Sequence, residues 1–417
     1  MYLTGLIQRD RLFELVQRWF ADRPEPGDGS FLTEVFIYES LVTRPGLRRF
    51  LADICGAVCP GPLSPRRVFT KDAVREAIVA SCLEPDARER ELFERWQRRP
   101  EDFFPGTPTD IILFQRPDGR LVGMTRVKRI RRIVEKASRR VSDRLAGAIG
   151  MTARSLAEKR ARELGMPLER LVSDAATMDA DFAAAEEMIS RAFHGEPGHF
   201  RPEDLRIDDV VGAKFVGRPE ALARLERAVA DYPGARIAER EEHRGDYNDV
   251  NLLVDLELPP PGELIDAFSG RDWSFAARRG LPPERLAADF PAYVESGART
   301  VRFEVILTTW PELVESEFGR SLHEARILHQ RHREGYDGRI ANNAAYLISY
   351  LMMLAISPRT EVGALPFKMW GRYLPDMAEN VIWRLFGMAN GTALLDTFLL
   401  PPDEKDLAGE ATLAEGV

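Results

Sequence analysis

The chain has 417 residues, 44% of them hydrophobic and 30% charged, a mixture that can bury a core and excludes wholesale disorder. Its formal net charge of -8 excludes broad coating of nucleic acid and leaves polyphosphate binding to a local basic pocket. The length admits two or more packed units.

Taken in chain order, residues 1–105 read as mostly helical. Leu12, Leu15, Val16 and Trp19 recur at helical spacing. The stretch 1–20 carries Arg9, Asp10, Arg11 and Glu14, so it lacks the uncharged apolar core of a signal peptide. Residues 23–30 read as a Pro/Gly/Asp loop, and 71–83 and 87–96 as two further helices. Three cysteines, Cys55, Cys59 and Cys82, make no disulfide framework and fit a reducing, cytoplasmic setting. Cys55 and Cys59 share a helical face, but no second Cys or His pair completes a zinc site, so buried thiols are expected.

The period then changes. Residues 110–115 form a short apolar run, Arg116-Pro117-Asp118-Gly119 a turn, and 120–125 a second strand, which together read as a hairpin. A basic helix is expected over 127–145. The segment 141–204 reads as a helical insertion. Residues 210–216 read as a strand, and 219–231 as an amphipathic helix with Leu222, Leu225 and Val229 on one face. Strands are expected at 237–240, 250–258 and 300–308. In the last of these, Arg302, Glu304 and Ile306 share a face. Residues 313–333 read as one helix. The remainder, 336–417, reads as a helical region ending in a charged, frayed tail from Asp403. The apolar stretch 344–356 is too short for a bilayer, which needs about 20 residues, so no membrane span is expected.

Four blocks carry the chemistry. Around Gly123-Met124-Thr125-Arg126-Val127-Lys128, and on through Arg132 and Lys136, cations gather at a strand-to-helix junction. Lys128, Arg132 and Lys136 fall four apart and are expected on one helical face, as a polyphosphate requires. A solvated basic helix is the plainer reading. Asp208-Asp209-Val210-Val211-Gly212-Ala213-Lys214 puts acids just before a buried strand, where a hard cation can be held or a strand simply capped. Asp246-Tyr247-Asn248-Asp249-Val250-Asn251 is a polar loop with an aromatic that can stack on a base or cover the core edge. Glu304 is a lone acid in the apolar run Phe303-Glu304-Val305-Ile306-Leu307. A carboxylate there is costly unless paired or bound to metal.

In order and spacing these blocks resemble the synthetase domain of the RelA/SpoT alarmone enzymes. Arg126, Lys128, Ile133 and Lys136 match that family's Gly-Arg-x-Lys and Ser-Ile-x-x-Lys motif, with Thr125 in place of Gly and Arg132 in place of Ser. Asp209-Val-Val-Gly-Ala-Lys resembles its Asp-x-x-Gly-x-Arg strand, Lys214 replacing Arg. Tyr247 fits its Gly-Tyr-x-Ser-x-His tyrosine, with Asp246 for Gly and Asn251 for His. Glu304-Val305 fits the start of its Glu-Val-Gln-Ile-Arg-Thr strand, with Ile306 and Thr308 for Gln and Arg. The N-terminal region lacks the family's His-Asp hydrolase motif.

The resemblance implies an α+β fold: a mixed-sheet, nucleotidyltransferase-like core over 106–335, interrupted by the 141–204 insertion and flanked by helical regions 1–105 and 336–417. It implies a pyrophosphokinase of stress-response or toxin-like type. ATP would sit on Arg126, Lys128, Arg132 and Lys136, and Mg²⁺ on Asp209 and Glu304, which are also the catalytic pair. Tyr247, Lys214, Asn251 and Arg244 would meet the acceptor. That acceptor is a nucleotide or RNA 3′-hydroxyl, with no DNA and with a second copy or another protein as possible partner. The alternative is an inactive module of this fold that binds a nucleotide or a protein, to which the changes at Asn251, Ile306 and Thr308 also point.

Overall fold

The computed structural model describes residues 1–58, 61–331 and 338–385. The first region supplies β1 (Tyr2–Leu3), α1 (Arg9–Phe20), α2 (Asp28–Val58), β2 (Ser64–Thr70), α3 (Lys71–Ser81) and α4 (Ala87–Arg98). There follow β3 (Pro108–Gln115), β4 (Leu121–Val127), α5 (Ile130–Leu164), α6 (Leu168–Val172), α7 (Ala175–Ala192) and β5 (Arg206–Ile207). Then come β6 (Val211–Val216), α8 (Pro219–Ala230), β7 (Ala235–His243), β8 (Asp249–Glu257), α9 (Pro261–Ala267), α10 (Pro283–Glu295) and β9 (Thr300–Thr308). The chain continues through α11 (Trp310–Phe318), α12 (His323–Arg331), α13 (Arg339–Ile356) and α14 (Pro375–Leu385). Among the described residues no helix is long and apolar enough to cross a membrane. Cys59 and the tail from Asp403 lie outside the described residues, while Cys55 is buried.

The fold is α+β. Seven strands form one mostly antiparallel sheet in the order β2-β3-β4-β6-β9-β8-β7, in which β6 and β9 are the parallel pair. Residues directly opposite across neighbouring strands share a face. One face therefore presents Ala213 and Phe215 of β6, Phe303, Val305 and Leu307 of β9, and Leu252 and Val254 of β8. All of these join the main core, together with α1, α2, α8, α10 and α13. The other face carries a smaller apolar core on its β2-β3-β4 side, which Val216 of β6 joins. There Val68, Ile111, Leu113 and Met124 are covered by Val74 and Ile78 of α3, Phe93 of α4, and Leu313 and Phe318 of α11. Beyond this cover the same face carries Gly212, Lys214, Glu304 and Asn251 in adjoining register positions, with buried Ile306 between Lys214 and Asn251. The strip of sheet left uncovered by the smaller core is where the site lies.

Three elements depart from the sequence expectation. β2, within the region read as helical, pairs with β3 at the sheet's edge. Its burial pattern hides Val68 alone, so it has no alternation to read. The loop at 23–30 is cut short because α2 begins at Asp28, whose buried carboxylate accepts from Trp19 Nε1 at 2.7 Å and Arg18 Nη2 at 2.6 Å. The helix expected over 313–333 is two helices. Glu315 folds back to accept from the Arg320 backbone N–H at 2.8 Å, in space that a side chain at Gly319 would occupy.

The basic helix and the start of the insertion are one element. α5 runs 35 residues, about 52 Å at the usual rise. Its buried positions, Ile133, Ala137, Val141, Leu145, Ile149, Ala153, Ala157 and Ala161, recur every fourth residue. The first four belong to the main core, Ile149 and Ala153 pack against Ala185 of α7, and Ala157 and Ala161 pack against Leu171 of α6. Gly165, at φ 63°, ends the helix in the left-handed conformation that glycine adopts without a Cβ penalty.

Buried Glu39 ties α1, α2 and α10 together. Its carboxylate accepts from the backbone N–H of Ile7 at 3.0 Å, from that of Gln8 at 3.1 Å and from the Tyr293 hydroxyl at 2.8 Å. Burial pushes its pKa up to about 7 against these hydrogen bonds. An acid raised on folding stabilises the protein fully below its unfolded pKa, and that stability is lost as pH rises through about 7. Wild-type melting temperature should therefore fall between pH 5 and pH 8 by the equivalent of roughly 2–3 kcal/mol. In Glu39→Gln the profile should be flatter. Parallel profiles would show that Glu39 does not carry this dependence.

Candidate functional site

β4 ends at Val127 and α5 starts at Ile130, so Lys128 lies in the junction and not on the helix as the four-residue spacing suggests. The Lys128 backbone N–H donates to the Val210 carbonyl at 2.7 Å, which pins this junction beside the start of β6. From there the Lys128 ammonium reaches Asp209, and the Lys136 ammonium comes down from α5 to the same Oδ2. Lys128 is nearly enclosed, its side chain 8% exposed, whereas that of Lys136 is 41% exposed. Arg132 turns to Glu135 instead and does not join this pair. The side chain of Arg126 lies outside the described residues. Its backbone in β4 stands opposite Gly212.

Burial pushes the Asp209 carboxyl up, but the two ammonium groups outweigh burial and hold it well below the usual carboxylate range. Asp209 is therefore charged at neutral pH. The preceding residue is anchored independently: Asp208 accepts from Thr4 Oγ1 at 3.0 Å, Arg206 Nε at 3.0 Å and Arg302 Nη1 at 3.4 Å. Arg302 in turn grips Asp255 at 2.6 Å, so its guanidinium serves these aspartates.

Glu304, on the neighbouring strand, is buried with its carboxylate accepting from Asn251 Nδ2 at 3.0 Å. It stands opposite Gly212, three residues beyond Asp209, or at most about 10 Å of extended strand. A Cβ at position 212 would lie 3.5 Å from Glu304 Oε2, so the glycine leaves the carboxylate open to the polar strip. Because the carboxylate must accept, the Asn251 amide nitrogen faces it. The Asn251 Oδ1 is buried without a hydrogen-bond partner.

The remaining predicted residues are more dispersed. Lys214 shares the face of Glu304 and lies close enough to Glu317 of α11 to act on its charge. Burial pushes Glu317 up, and Lys71, Lys214 and Arg75 bring it below its usual value. Tyr247, in the loop between β7 and β8, lies under the Arg326 guanidinium of α12, 3.8 Å from the ring centroid. Burial, with help from Asp249, pushes its hydroxyl up. Arg244 points outward and pairs with Glu242 at 2.9 Å. It also lines a cavity of about 500 Å³ that opens between α8, the β7–β8 loop and the end of β9, together with Leu222, His243, Asp249, Thr308 and Glu312. Glu312 and Arg326 carried no signal in the sequence, since both are ordinary charged positions on helices.

The structure thus brings Lys128, Lys136 and Asp209 together at the β4–α5 junction beside the start of β6, and Glu304 together with Asn251 on the adjacent strands β9 and β8. Among the described residues no cluster of three or more His, Cys, Asp or Glu is placed to hold a metal ion. Asp209 and Glu304 are donors of the kind Mg²⁺ takes, a hard cation that is usually held by one or two carboxylates plus substrate phosphates and water.

No family model and no curated protein matches the chain. Two solved structures of small alarmone synthetase 1 from Bacillus subtilis are similar to it at a low level. The one bound to its product pppGpp has 12% identity and a TM-score of 0.21, the similarity covering 55% of this chain and 71% of that one. The other has 9% identity and a TM-score of 0.23, covering 68% of this chain and 93% of that one. Likenesses this weak carry no argument about chemistry.

Proposed function

We propose that this chain is a pyrophosphokinase on a nucleotidyltransferase-like core of the RelA/SpoT type, moving the β,γ-pyrophosphate of ATP to a nucleotide or RNA 3′-hydroxyl. The observation that carries this reading is the meeting of Lys128 and Lys136 on Asp209, beside a strand that buries Glu304. Two cations of different reach and two carboxylates on neighbouring elements are what a metal-bound polyphosphate needs.

In this reading Lys128 and Lys136 receive the ATP phosphates, and Asp209 and Glu304 would hold Mg²⁺. When bound, the ion neutralises charge on the phosphate oxygens. Glu304 takes the proton of the acceptor hydroxyl, and that oxygen bonds to the β-phosphorus of ATP. The bond from the β-phosphorus to the bridging α–β oxygen breaks, and AMP leaves with that oxygen. Positioning and charge neutralisation supply most of the rate. Asn251 orients the Glu304 carboxylate by donating to it.

A second reading, a nucleotide-binding module without transfer, is favoured by one observation. The Arg326 guanidinium already covers one face of the Tyr247 ring, on which the resemblance would stack the acceptor base.

Lys128→Ala tests the donor site. ATP affinity measured calorimetrically should fall at least tenfold, about 1.4 kcal/mol. The variant should also melt lower, because Lys128 is enclosed against Asp209 and not exposed in a cleft as the sequence suggests. Lowered melting with unchanged ATP affinity would reduce the lysine to a structural partner.

A further inference from the structure

We propose that Asp209, Lys128 and Lys136 form an exchange site that takes a divalent cation and a polyphosphate together and disfavours either one alone, an inference that rests on the donor-site reading above. Both ammonium groups are bound to the same carboxylate oxygen, Asp209 Oδ2. The three groups carry one net positive charge, and Asp209 separates two like charges that would otherwise repel. Neither lysine is there by chance of a loose surface. Lys128 is held by its backbone bond to Val210, and Lys136 stands in the second turn of α5, whose Ile133 and Ala137 are buried in the main core.

Each ligand alone leaves this arrangement worse off. A bare divalent cation must displace two ammonium groups from the carboxylate oxygen and then sit beside them. A bare polyphosphate draws the lysines away and leaves Asp209, 16% exposed, without its counter-ions and facing a polyanion. When both arrive, the cation replaces the lysines on Asp209 and the lysines move to phosphate oxygens. Every charge then keeps a partner. The two ligands are thereby coupled, and by linkage each tightens the other by the same factor.

The test is a set of binding titrations on the full chain: Mn²⁺ alone followed by electron paramagnetic resonance, ATP alone in EDTA, and ATP with Mn²⁺. Lys136→Gln removes one competitor for the carboxylate, so it should tighten Mn²⁺ alone about tenfold and weaken metal-free ATP about tenfold. Asp209→Asn should do the reverse, weakening Mn²⁺ and tightening metal-free ATP. These opposed signs are the expected result, and either variant suffices if the other fails to fold. If both ligands shift in one direction, or neither shifts, the exchange is overturned while the donor site stands. If wild type binds ATP neither with Mn²⁺ nor without it at millimolar concentration, the donor-site reading falls and the exchange falls with it.

Discussion

Replacing Glu304 by Gln is expected to lower the rate of AMP release by a factor of about a hundred to ten thousand while leaving the protein folded. The carboxylate is 8% exposed in a strand whose neighbours Phe303 and Val305 are buried in the main core. Its hydrogen bond from Asn251 Nδ2 survives the change, because the Gln carbonyl can still accept. Removing a buried charge also relieves desolvation, so the melting temperature should hold or rise. Gln cannot take a proton from a hydroxyl and is a poor ligand for a hard cation, so transfer should fail. A purely structural Glu304 would pair with Arg302 or with a helix arginine; the Arg302 guanidinium is committed to Asp255 and Asp208. Full activity with a lowered melting temperature would make Glu304 a structural residue.

The largest effect on stability is expected at Arg75. This side chain is fully buried, donating to the Glu317 carbonyl at 3.0 Å, the Phe103 carbonyl at 2.8 Å and Glu324 Oε2 at 2.9 Å. It joins α3 to α11 and α12 and so holds the smaller core against the sheet. Arg75→Ala leaves Glu324 buried with Lys71 at 3.5 Å as its remaining ion pair among the described residues and should cost about 3–5 kcal/mol in denaturant unfolding. Arg75→Met combined with Glu324→Leu should recover at least half of that, since apolar replacement of a buried pair is often neutral. A loss below about 1 kcal/mol for Arg75→Ala would mean that the network is not what fixes these helices.

Much of this architecture is legible from residue order alone. The strand at 300–308 and the helix from 219 are found where an apolar run and helical spacing put them, the strand being buried on both faces from Phe303 onward and the helix burying Leu225 and Val229. Glu304 and Asp209 stand out because an acid within or just before an apolar strand needs a partner. What escapes the sequence is set by distant partners. β2 buries Val68 alone, leaves Phe69 exposed, and is a strand because β3 offers it an edge. The split after Gly319 depends on Glu315 turning back to the chain. Arg326 lies 79 residues beyond Tyr247, and no local pattern announces its guanidinium on that ring. Lys128 and Arg132 show the limit of spacing arguments. Their interval is helical, yet the helix begins only at Ile130 and Arg132 finds Glu135.

The central claim is transfer of pyrophosphate to a hydroxyl, and product identification by mass spectrometry tests it most directly. The full chain is incubated with Mg²⁺, ATP labelled in its β- and γ-phosphates, and GDP, GTP, adenine nucleotides or tRNA as acceptors. AMP should appear in step with an acceptor that has gained both labelled phosphates on a 3′-hydroxyl, and Glu304→Gln should give neither. Bound ATP that yields no AMP with any of these acceptors, or that yields ADP instead, would contradict the account.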